Sequence, residues 1–185
     1  MQIEDLKKTV RKAEDKNNSV KNVVKNKFLL SIKNVFRNKN VSRISWSQYT
    51  PYFNDGEECV FTVSDISLVV NKEFKEHVES VLNSHLEKMK PDKNFSYFWF
   101  SEESDNLFSM DTCSVEYFKQ IKNYNELLKD PDFEIVYDLM EINEIIKTDF
   151  IKDVLKSTLG DHSSIVVNKK GEDEIEVNVD FCEHD

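Results

Sequence analysis

The sequence predicts an α+β fold: an antiparallel sheet of about four to six strands, helices packed on one face, and a long basic N-terminal helix. Three observations carry this. Apolar residues recur at helical spacing through residues 3–36. Short runs that alternate apolar and polar residues follow at 44–49 and 59–63, and again near the C-terminus. Glycine and proline, three of each in 185 residues, fall where these runs break.

Taken in order, Ile3, Leu6, Val10 and Ala13 open a stripe that Val20, Val23, Val24, Phe28, Ile32, Val35 and Phe36 continue. One helix or two in tandem are expected over 2–38, with a solvated face of Lys and Asn. A basic arm over 1–40 then precedes an acidic α+β domain over 41–185. Ile44–Tyr49 reads as a half-buried strand. Cys59, Phe61 and Val63, alternating with Val60 and Thr62, read as its return. The connection is T-P-Y-F-N-D-G-E, eight residues in which Pro51 stiffens the chain and Asp55-Gly56 reverses it.

Ile66–Val70 suggests a further strand, and Phe74 to Met89 a helix stopped by Pro91. F-S-Y-F-W-F at 95–100 suggests a buried strand, and 101–112 a polar loop. Ser114 would cap a helix reaching Leu128. Phe133 to Leu155 forms a long helical region bent near Lys147-Thr148, with Gly160 as its stop. The chain closes in a hairpin turning at Lys170-Gly171, with Ile175, Val177 and Val179 on one face.

The length suits one domain with a helical appendage, large enough to bury roughly 70% of its unfolded surface. Three cysteines without metal-finger spacing suggest a reducing, cytoplasmic setting. No apolar run is long enough to span a bilayer, and no signal peptide is evident. Residues 1–43 hold twelve basic against four acidic side chains, a net of +8, which leaves −18 of the total −10 to the rest. The two parts should attract each other, within one chain or between copies through the N-terminal helix. An acidic body disfavours nucleic acid as its partner. Isolated glycines at 56, 160 and 171 exclude the usual phosphate-binding loops.

Two blocks stand out: W-S-Q-Y-T-P-Y-F-N-D-G-E-E-C-V-F from Trp46 to Phe61, and the tail G-D-H-S-S-I-V-V…E-I-E-V…C-E-H-D. Together they resemble an uncharacterised family of small bacterial and phage proteins with a Trp-x-Gln-Tyr-Thr-Pro-Tyr-Phe-Asn-Asp-Gly core and a Gly-Asp-His…His-Asp hairpin. The resemblance implies no particular reaction. It points to the two blocks as the site and, with the Lys- and Asn-rich composition, to a phage accessory protein that meets a host or defence component.

The chemistry-bearing candidates follow from the same blocks. Trp46, Gln48, Tyr49, Thr50, Tyr52, Phe53, Asn54 and Asp55 set aromatic faces beside an amide and a carboxylate. Such a mixture stacks on a planar ligand, anchors a protein partner, or packs on its own sheet. Asp161, His162, Asp180, Glu183, His184 and Asp185 lie at the open ends of the C-terminal hairpin, where His162, His184 and Asp185 would hold a divalent metal or simply stay solvated. Cys59 reads as a small hydrophobe, and His77 and His85 as ordinary residues of one helix. The leading expectation is a non-enzymatic binding protein without a cofactor, whose partner is a protein or small molecule. The alternative is a small metal-assisted hydrolase using Asp55 and the C-terminal cluster.

Overall fold

The computed structural model describes residues 2–14, 19–51, 58–89, 107–109, 119, 124–171 and 174–182. Of the one helix or two expected over 2–38, the structure has two, α1 (Gln2–Glu14) and α2 (Ser19–Val35). Their shared stripe is buried at Ile3, Leu6, Val10, Val24, Phe28, Ile32 and Val35. Val23, expected in that stripe, is instead 49% exposed, because it sits one residue off the 24–28–32 row.

Strand β1 (Val41–Tyr49) is the middle of the sheet. It pairs antiparallel with β2 (Thr62–Val63), with β3 (Ser67–Val70) and with β5 (Ser163–Lys169). The sheet runs β4-β3-β1-β5-β6, with β2 beside β1 off that path. β4 is Leu107–Ser109, and β6 is Ile175–Phe181. The remaining helices are α3 (Lys72–Met89), α4 (Tyr124–Leu127), α5 (Pro131–Ile146) and α6 (Asp149–Leu159).

One face of the sheet is dry. Val41, Ile44, Trp46 and Gln48 of β1 are buried, while Ser42, Arg43, Ser47 and Tyr49 are exposed. The register slips between Val41 and Arg43, a bulge that lets both Val41 and Ile44 face inward across two intervening residues. Leu68 and Val70 of β3 and Ile165 and Val167 of β5 continue that face. Helices α5 and α6 supply Phe133, Val136, Leu139, Ile142, Ile146, Ile151 and Val154 to the same core, and α1 and α2 pack onto them.

Helix ends follow their capping residues. Asn71 Oδ1 accepts from Phe74 N at 2.9 Å to start α3. Asp130 caps α5 by accepting from Asp132 N, with Pro131 at the first helical position. The expected bend near Lys147-Thr148 is a full break between α5 and α6. Gly160, at φ +90°, stops α6.

Three details depart from expectation. The connection from β1 to β2 spans Thr50 to Phe61 and not the eight residues read from the turn motif, because pairing begins only at Tyr49 opposite Thr62. Cys59 is therefore half-buried before the strand and not within it. Leu107–Ser109, read as loop, is a strand that among the described residues pairs with β3 alone: that pairing selects three residues, too few to show alternation. The strand expected at 95–100 and most of the helix expected from Ser114 lie outside the described residues.

Candidate functional site

The two sequence blocks meet. Gln48 pairs with Ser163 across β1 and β5, so the end of β1 lies beside the corner between α6 and β5. Trp46 and Gln48 point into the core there, 3% and 1% exposed. The Trp46 ring meets Phe28 edge-on at 5.8 Å, and its Nε1 donates to Gln48 Oε1 at 3.3 Å. Gln48 Nε2 donates to Gly160 O at 2.5 Å and to Leu155 O at 3.4 Å. Gly160 O is a carbonyl of the kind a helix terminus leaves unsatisfied, and Leu155 O belongs to the last full turn of α6. Trp46 and Gln48 therefore hold the corner together.

Tyr49 and Thr50 behave differently. Tyr49 is 47% exposed on the open face. Thr50 is fastened to Asp161: its N donates to Oδ1 at 2.8 Å and its Oγ1 to Oδ2 at 2.6 Å. Lys156 Nζ lies 2.9 Å from Asp161 Oδ2 and 3.0 Å from Thr50 Oγ1, and 5.2 Å from the centre of the Phe61 ring. His162 N donates to Asp161 Oδ1 at 2.9 Å. Burial pushes the Asp161 carboxyl upward, but the bonds from Thr50, Lys156 and the two amides outweigh it and hold the pKa at about 2. An acid so fully engaged serves as a clamp and is poorly matched to proton transfer near neutrality.

His162 takes φ +52°, a left-handed conformation rare outside glycine, directly after Gly160 and Asp161 make their turn. Cys182 N donates to His162 O at 2.8 Å and ties the end of β6 to the same corner. Ser47, Gln48, Tyr49, His162, Ser163 and Cys182 line a cleft of about 270 Å³. Tyr52, Phe53, Asn54 and Asp55, and with them His184 and Asp185, lie outside the described residues. Of the expected metal set only His162 is placed.

A grouping that the sequence did not reveal lies elsewhere. His77 Nε2 is 2.7 Å from Asp130 Oδ2, and ligand atoms of His77, Asp130 and Asp132 fall within 4.8 Å of one another. Asp130 is already the cap of α5, and Asp132 Oδ1 accepts from Asn38 at 2.7 Å and Asn40 at 3.3 Å. Arg37 and Lys39 line the adjoining cleft, and the positive end of α5 lies beneath. These surroundings compensate carboxylates without an ion. The Asp-Pro-Asp cap is visible in sequence, whereas the His77 contact, 53 residues away, is not.

No family model, curated protein or solved structure matches the chain. No described helix is long and apolar enough to cross a membrane.

Proposed function

We propose that the protein is a non-enzymatic binding protein, in keeping with a phage accessory role, that engages a protein partner or small ligand through the wet end of β1. The observation that carries this reading is the cleft beside Tyr49. Residues 47–49, 162–163 and 182 build it, and a half-exposed aromatic ring stands at its rim. Such a ring offers a large contact area at small entropic cost, over a base that Gln48 and Asp161 already hold rigid. The aromatic residues that follow Thr50 in sequence would extend the contact.

The test is affinity purification of the full chain against Tyr49→Ser, with native mass spectrometry of what is retained. The reading expects a specific protein or small molecule to be lost from Tyr49→Ser at unchanged circular dichroism, and retained in chelator. Retention by Tyr49→Ser with loss in chelator would overturn it in favour of the metal-assisted hydrolase.

A further inference from the structure

Strand β6 ends the sheet, and among the described residues it pairs with β5 alone. The phase of that pairing decides which backbone groups are used. Cys182 N donates to His162 O at 2.8 Å, and Lys170 N donates to Glu174 O at 2.9 Å. Both pairs continue the register that sets Ser163 opposite Phe181. Hydrogen-bonded and non-bonded pairs alternate along an antiparallel ladder. Glu176, Asn178 and Asp180 therefore exchange bonds with β5, and Ile175, Val177, Val179 and Phe181 turn their N–H and C=O groups outward.

The side chains of β6 divide the same way. Ile175, Val177, Val179 and Phe181 lie on the helix-covered face, opposite the inward residues of β5. The cover runs out at this edge: Val177 is 37% and Phe181 67% exposed. Asp180 and Glu176 occupy the open face, Glu176 with Lys170 Nζ 2.9 Å from its Oε1.

We propose that the edge of β6, unpaired among the described residues, receives an extended segment of a partner protein as an added strand, its residues alternating apolar with Lys or Arg. The outward backbone groups supply the ladder. Apolar residues of the added strand would finish covering Val177 and Phe181, and its cations would face Glu176 and Asp180. A second copy of this chain is the competing occupant. A two-fold axis at Asn178 would set Glu176 of one strand opposite Asp180 of the other, whereas an axis at Val179 would set Val177 opposite Phe181 and Asp180 opposite Asn178, so a dimer has to be told from a peptide complex. The proposal rests on the binding-protein reading and supplies it with a partner chemistry, yet it fails separately, because Tyr49→Ser leaves this edge intact.

The experiment is a titration, followed by amide NMR, with a synthetic peptide of about eight residues alternating valine and lysine, a common strand length. Saturable shifts are expected along Ile175–Phe181 and in β5. A valine–glutamate peptide should bind at least about tenfold more weakly, a difference of about 1.4 kcal/mol. Val177→Pro removes an N–H that points away from β5, a position where an edge strand tolerates proline, and should abolish binding with β1–β3 resonances unchanged. Should that variant not fold, Glu176→Lys with Asp180→Lys should reverse the peptide preference. Equal binding of both peptides, unchanged binding by Val177→Pro, an unreversed preference, or a concentration-dependent dimer through β6 would each overturn the proposal.

Discussion

Gln48, one of the expected contact residues, uses its side-chain amide within the chain. Its amide serves the Gly160 and Leu155 carbonyls and accepts from the Trp46 indole. Gln48→Ala should cost about 1–3 kcal/mol in urea unfolding, because several buried groups lose their partner together. Two carboxyls should shift stability with pH in opposite directions. Asp161, lowered from 3.8 to about 2, contributes fully above pH 4, and the contribution fades as pH falls toward 2. Asp161→Asn should flatten that limb and cost on the order of 1–2 kcal/mol at neutrality, with allowance for solvent screening. Asp138 is raised to about 6, by burial first and then by Glu134. Its ionisation opposes folding increasingly between pH 4 and 6, so Asp138→Asn should raise the thermal midpoint at pH 7 and leave it unchanged near pH 3. The sequence picked out the Trp46–Thr50 block, and the structure places all five of its residues at the end of β1. The alternation of Ile44 and Trp46 with Ser45 and Ser47 gives the inward face from Ile44 onward, but not Val41, whose inward position depends on a bulge at Val41–Arg43 that only the pairing with β3 reveals.

At the level of elements, α1 is pinned to α5 by Lys7, whose Nζ lies 2.5 Å from the buried Glu141, and Tyr137 donates to the same carboxylate oxygen at 3.0 Å. Burial, then the bond and charge of Glu141, keep the Tyr137 hydroxyl protonated well above its ordinary range. Lys7→Met alone should cost about 2–3 kcal/mol by stranding that charge, and adding Glu141→Leu should recover most of it. At the other end of the helical layer, a Cβ on Gly160 would meet the Phe181 ring at 2.6 Å, in a conformation that L residues disfavour. Gly160→Ala should therefore lose more than about 1 kcal/mol by urea titration. Helix periodicity made α2, α3, α5 and α6 legible, as did alternation for β1, β5 and β6. β4 was illegible because its pairing with β3, and not its own composition, makes it a strand.

Across the whole molecule, the basic N-terminal residues are integral to the core. Leu6, Val24, Phe28 and Ile32 are as dry as any side chain of the sheet. Lys21 also reaches Asp153 of α6 at 2.5 Å, so part of the charge attraction read from the sequence is realised within the chain. Removal of residues 1–38 should leave a product that binds hydrophobic dye and unfolds without a cooperative transition. The placement of β1 has a consequence for biosynthesis. Arg43 and Asn168 are neighbours in space though 125 positions apart. During translation the centre of the molecule must wait, open on one flank, until β5 leaves the ribosome. Non-local closure of this kind is slow. Through that interval the nascent chain carries an exposed Ile44–Trp46 ridge, the segment a chaperone would be expected to shield first.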